Sequence, residues 1–214
     1  MSFLHMKLRV FNIIKNTKVE GPGNRYCIWV QGCSRHCIGC QAVHTWAHDK
    51  GELYEVNDII NDILQTYNKS KTHIKDKDSR IEGVTFLGGE PFEQAEALGI
   101  IAREVKKAGL SIVCFTGDYL ENLKLKSKNK MLIDNIDLLI DGPYEKDKTD
   151  YSRPWCGSSN QRYHFLTDRY NEDIFLKYKN KVEVNISTNG QILINGMGNF
   201  DDILQKVELI GLKK

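Results

Sequence analysis

The sequence predicts an α/β chain built as an open, partial barrel on a parallel sheet. Four short apolar runs ending at glycine, RYCIWVQG, GVTFLGGEP, SIVCFTGD and DLLIDGP, read as strands. Amphipathic stretches separate several of them, and strand, helix, strand in series favours parallel pairing. The units are too few to close an eight-stranded barrel.

The elements follow in order. After the first strand, a helix is predicted from about Val56 to Tyr67, where Val56, Ile59, Ile60, Ile63 and Leu64 share one face and Asn57, Asp58, Asn61 and Asp62 the other. The charged segment between Lys69 and Glu82 reads as an exposed connection, with His73 on the surface. A second helix spans roughly Glu93 to Ala108 and closes at Gly109, with Lys106 and Lys107 facing the negative end of its dipole. The basic run KLKSKNK at 124–130 is expected to be a solvated helix end or loop, and His164 a strand residue. Near the C-terminus, KVEVNISTNGQILINGMG predicts a hairpin turning at Asn189-Gly190, followed by a helix through FDDILQKVELI capped by Asp201.

With 214 residues, 41% of them hydrophobic, one substantial core is expected and the whole chain, 1–214, reads as a single domain. Thirty basic residues against 28 acidic ones give no global field toward nucleic acid or membrane. No run approaches the roughly 20 apolar residues of a membrane span. MSFLHMKLRV lacks the pattern of a secretory signal, so the cytoplasm is the expected location.

Chemistry concentrates in GCSRHCIGC, where Cys33, Cys37 and Cys40 stand three and then two residues apart. Three soft thiolates at this spacing suit an iron–sulfur cluster with one iron left open. A zinc knuckle completed by His36, His44 or His48 is the alternative, as is a packed cysteine loop. Cys27 and Cys114 lie in apolar runs and read as buried, inert thiols. Cys156, in PWCGSSNQR, sits in a loop where a functional thiol remains open.

Cys-x3-Cys-x2-Cys after an apolar strand resembles the signature of the radical S-adenosylmethionine (SAM) enzymes. Within them the chain resembles the activating proteins of anaerobic ribonucleotide reductase. The likeness lies in GPGNR at 21–25, VQGCSRHCIGCQ at 30–41, Trp46, FLGGEP at 86–91, FTGDYLE at 115–121 and IDGPYE at 140–145, and extends over about 19–198. Gly39 departs from the superfamily, which commonly has an aromatic residue there, but agrees with this branch.

The resemblance implies an open partial (β/α)6-type barrel with a C-terminal hairpin and helix. It also implies one [4Fe–4S] cluster held by Cys33, Cys37 and Cys40, with SAM on the fourth iron. Gly39, Gln41, Gly88, Gly89, Glu90, Pro91, Thr116 and Asp118 would then contact the cofactors. Reductive cleavage of SAM would give methionine and a 5′-deoxyadenosyl radical that takes hydrogen from a glycine of a larger reductase. The electron would come from a flavodoxin or ferredoxin, and no catalytic side chain is named beyond the cluster and SAM.

Taken without the family, GGEP is a strand-to-helix turn with a helix-starting proline, and Asp118 a helix cap. Asp141 is open between SAM, substrate and a turn. Arg25 is expected at the entrance against an anion, or in an ordinary turn before the strand. Ser158 to Arg162 suits a polar substrate, a partner backbone or simple loop packing. A radical enzyme acting directly on a peptide or small metabolite, and a non-radical iron–sulfur carrier, remain alternative functions.

Overall fold

The computed structural model of the chain describes residues 6–72, 80–186, 190 and 192–199. His73, Asn189 and the predicted C-terminal helix lie outside them.

Nine strands occur among these residues: β1 Lys7–Thr17, β2 Arg25–Val30, β3 Glu52–Glu55, β4 Gly83–Gly88, β5 Ser111–Phe115, β6 Leu138–Asp141, β7 Arg162–Phe165, β8 Val182–Ile186 and β9 Ile192–Gly196. The first seven form one sheet in the order β3-β1-β2-β4-β5-β6-β7, and β8 pairs antiparallel with β9. The four predicted strand runs are β2, β4, β5 and β6, adjacent and parallel. Antiparallel neighbours flank them: β1 and β3 at one margin, β7 at the other. His164 falls on β7 as expected.

Side chains alternate across a strand, and in the parallel strands both faces are buried, which is why those runs read as continuously apolar. Tyr26, Ile28, Val84, Phe86, Ile112, Cys114 and Leu139 face the core built with the helices. Cys27, Trp29, Leu87, Val113, Phe115, Leu138 and Ile140 face the other way, into two smaller clusters. The functional cavity opens on that second face.

Helix α1, Val56–Thr72, buries Val56, Ile59, Ile60, Ile63 and Tyr67. It runs beyond the predicted end at Tyr67 to Thr72, and in this extra stretch Ser70 and Thr72 donate to carbonyls three residues back. Helix α2, Ala95–Lys107, starts later than predicted, because Pro91–Gln94 forms a tight 3-10 turn first. Lys106 in its last turn pairs with Asp137 at 3.0 Å. Three short helices follow: α3 Leu120–Lys124, α4 Lys130–Ile133 and α5 Ile174–Lys177. Lys124, Lys126, Lys128 and Lys130 are exposed, as the basic run predicted. No helix among the described residues is long and apolar enough to cross a membrane.

One expectation is corrected here. Arg25 begins β2, at the end of the parallel strands away from the loops that follow them, and it is fully buried. Its guanidinium donates to Thr85 Oγ1, Ser111 Oγ and the carbonyl of Ser111, fastening three neighbouring strands. It faces no entrance anion.

Candidate active site

A cavity of about 480 Å³ lies at the C-terminal ends of the parallel strands, on the face opposite the helices. Cys33, Cys37 and Cys40 line one wall, with Arg35 and Gln41 from the same loop. Gly88, Gly89 and Glu90 follow β4, Thr116 and Gly117 follow β5, and Gly142 follows β6. Phe11, Asn12 and Ile14 of β1 and Trp29 of β2 add the margin and floor, and Leu193 to Met197 of the C-terminal hairpin form the facing wall.

The cysteine loop is held by its own backbone. Gly32 N donates to Thr45 O at 2.7 Å and Cys33 N to Trp46 O at 3.0 Å, so the turn Val43–Thr45 folds back on the loop. Burial pushes the Cys33 thiol up, partly offset by the backbone N–H groups of Arg35 and His36. Among the described residues no three His, Cys, Asp or Glu side chains converge tightly enough to hold a single metal ion. His36 instead stacks on Trp46, His44 on Phe11, and His48 pairs with Glu93 at 2.7 Å. Three soft thiol donors on one cavity wall, with the neighbouring histidines engaged elsewhere, are donor chemistry that fits an iron–sulfur cluster.

The GGEP turn is locked to the cysteine loop. Gly89 N donates to Val30 O and Glu90 N to Gly32 O, both at 2.8 Å. A Cβ on Gly89 would stand 2.2 Å from Gly32 O, so only glycine admits this approach. Glu90 is buried, and its carboxylate accepts from Phe92 N, Thr116 Oγ1, Gly117 N and Arg35 Nε. Desolvation raises its pKa, against which these donors and the Arg35 charge work. All four acceptor positions are thus committed to the protein, which the sequence alone does not reveal. Arg35 also reaches Asp118 at 2.8 Å, so Asp118 stands behind the cavity wall. Pro91 is buried at the start of its turn, and Gly39 lies exposed on the cysteine loop with φ +79°. Neither lines the cavity.

Gln41 Nε2 donates to Tyr151 Oη at 3.2 Å and to Gly198 O at 3.0 Å, tying the cysteine loop to the hairpin side. Asp141 is fully buried, accepts from Leu120 N at 2.7 Å and pairs with Arg162 at 2.6 Å; it orients α3 and β7. Gln161 lines the cavity but its Oε1 accepts from Gly157 N and Ser158 N, a loop-packing role. Cys156 is fully buried beneath Trp155 and Ile140, with its thiol pushed up by burial, and offers no accessible nucleophile.

The family described as a 4Fe-4S single cluster domain matches residues 19–164. The anaerobic ribonucleoside-triphosphate reductase-activating protein of Escherichia coli K12 is 32% identical over 155 residues, which is 69% of this chain and 92% of that one. Its namesakes from Pasteurella multocida and from Enterobacteria phage T4 are 31% and 32% identical, over 67% and 70% of this chain and 88% and 89% of theirs. The chain belongs to this family of activating proteins. Among solved structures, that of QueE from Escherichia coli matches 53% of each chain at 20% identity with a TM-score of 0.40.

Several lining residues of this family member were not singled out in the sequence: Trp29, Arg35, Glu20 and the β9 segment. Strand parity was the available signal for Trp29, which lies two residues from Cys27 on the same face. The β9 wall carries no local motif.

Proposed function

We propose that this protein is a radical SAM iron–sulfur enzyme that activates an anaerobic ribonucleotide reductase by abstracting hydrogen from one of its glycines. The observation that carries the reading is the placement of Cys33, Cys37 and Cys40 on the wall of one cavity with Gly88, Gly89, Glu90 and Thr116, while the other three cysteines do not line it. When bound, the cluster supplies an electron to the SAM sulfonium, and the resulting 5′-deoxyadenosyl radical takes the hydrogen.

The residues have these roles in the proposal. Cys33, Cys37 and Cys40 would hold the cluster, and with three protein ligands it would keep one iron open to SAM. Gly88 and Gly89 present backbone to SAM, with Gln41 and Thr116 on adjoining walls. Glu90, Asp118 and Arg35 act as a brace that fixes those walls, and Gly39 and Pro91 shape the two turns. Trp29, Leu87 and Phe115 form an apolar floor that excludes water. The half-enclosed sheet, helices on one face and cavity on the other, supports an open partial barrel of the (β/α)6 type in a single domain, 1–214. A larger reductase as partner, a flavodoxin or ferredoxin as electron donor, and a cytoplasmic location complete the reading.

Anaerobic incubation of the reduced, reconstituted protein with SAM and the reductase tests it, following 5′-deoxyadenosine by chromatography and the glycyl doublet by electron paramagnetic resonance. A doublet that requires both proteins is expected. Deoxyadenosine without a doublet overturns the activase reading, and neither product from an intact reduced cluster overturns SAM cleavage.

A further inference from the structure

None of the residues in the basic run at 124–130 lines the cavity, yet the run is built as more than a solvated tail. Leu120 and Leu123 of α3 turn into the core, whereas Leu125, just past that helix, is 84% exposed among the exposed Lys124, Lys126 and Lys128. The backbone beneath them is fastened. Leu125 N donates to Asn122 O and Lys126 N to Leu123 O, both at 3.2 Å. The buried Asn129 donates through N to Lys126 O and through Nδ2 to Leu123 O, each at 2.9 Å. A large apolar side chain held in water among like charges has the make-up of a docking site, an apolar centre with a charged rim.

The charge of this surface is only partly cancelled. Lys130 pairs with Asp134 at 2.7 Å, but Lys124 and Lys128 have no carboxylate partner among the described residues. Lys126 reaches Asp118 at 3.8 Å, and that carboxylate already holds Arg35 at 2.8 Å. Arg35 stands between Cys33 and Cys37, so two ion-pair contacts join the lysine surface to the cysteine loop. Thr116 and Gly117 line the cavity, whereas Asp118, next in the chain, does not, so the lysines back the cavity wall instead of opening into it.

We propose that Lys124, Leu125, Lys126 and Lys128 form the docking surface for an acidic one-electron carrier protein that reduces the cluster. The inference rests on the radical SAM reading above and names where its electron enters. The carrier is oxidised by one electron and the cluster reduced by one, with no bond made or broken. A donor has to come close to the iron site without passing through a cavity that SAM and the glycine of the partner fill. A surface reached from outside and joined to the cysteine loop meets that demand. Redox encounters bury little area, and opposite charge sets their on-rate, which suits lysines around one apolar anchor.

The test uses the reconstituted full chain, the double variant Lys124→Glu with Lys128→Glu, and the single variant Leu125→Ser. Lys126 is left in place because it shares Asp118 with Arg35. Oxidised flavodoxin and oxidised ferredoxin are titrated by anaerobic calorimetry, and the carrier that binds the wild type is taken forward. Its reduced form and dithionite are then compared as reductants of the cluster by stopped-flow absorbance. The double variant is expected to weaken carrier binding and to slow reduction by the carrier about tenfold at low salt, with the difference shrinking at high salt. Leu125→Ser is expected to weaken binding about fivefold. Reduction by dithionite, which needs no docking surface, should be unchanged in both. Wild-type binding and reduction rate in the double variant overturn the proposal, as does a wild type that binds neither carrier. Equal slowing with dithionite overturns it in favour of a structural role for the run. A raised half-saturating concentration of reductase with unchanged carrier binding overturns it by giving the surface to the reductase. Absence of 5′-deoxyadenosine from the dithionite-reduced wild type overturns the radical SAM reading itself, and is seen before any variant is measured.

Discussion

Replacing Glu20 by glutamine should change how the stability of this protein depends on pH. Glu20 is 3% exposed, faces the hairpin and accepts from Gly196 N at 2.6 Å. Burial raises its pKa from 4.5 to about 7, more than the hydrogen bonds from Gly196 and Asn195 pull it back, and the nearby Glu183 charge adds to the rise. The folded state thus holds this proton more tightly than the unfolded chain. The resulting stability is fully present below 4.5 and is lost as pH rises through about 7. At 1.36 kcal/mol per pH unit the gap corresponds to about 3 kcal/mol. Glu20→Gln has no proton to lose, so the unfolding free energy of wild type minus variant should fall by about 3 kcal/mol between about pH 5 and about pH 8. Anaerobic urea unfolding followed by tryptophan fluorescence, extrapolated linearly at each pH, measures it. Parallel pH profiles for the two proteins would refute the reasoning.

Alanine at Cys33, Cys37 or Cys40 should abolish the cluster's visible absorption and lower bound iron after anaerobic reconstitution; full iron in any of the three contradicts its role as a ligand. Gly89→Ala should cost about 1–3 kcal/mol or more, since its Cβ would meet backbone 2.2 Å away, and it should lower iron uptake by displacing Gly32 and Cys33. Gly109→Ala is the control: its Cβ would meet nothing within 4 Å, and its φ of +88° costs about 1 kcal/mol, so denaturant unfolding should show a small loss and iron assay none. Cys156 should stay unlabelled when the native protein is treated with a thiol alkylator, and label on unfolding, as mass spectrometry reads directly.

The parallel strands were legible because burial on both faces writes an uninterrupted apolar run, and α1 because its single buried stripe is interrupted by Asn57, Asp58 and Asn61. β1 and β3 were not: KLRVFNIIKNT mixes exposed and buried positions across two bulges, and ELYE is too short to carry a period. The cysteines were found by local spacing. Arg25 was misplaced although strand direction contained the answer, since a residue that opens a parallel strand lies opposite the loop that follows it. What Glu90 does was invisible locally, because two of its four partners, Thr116 and Gly117, come from the loop after another strand and a third, Arg35, from the cysteine loop. Asn195 belongs to the same class: its amide donates to Thr17, 178 residues away in the chain.

Arg35 sits between the first two cysteines, and its guanidinium helps neutralise Glu90. Because the same guanidinium also reaches Asp118, while Glu90 accepts from Thr116 and Gly117, the cysteine loop and the wall after β5 are one mechanical unit. A change that displaces Cys33 or Cys37 therefore displaces the far wall with it, and the spacing across the cavity is set once, by the fold, for both.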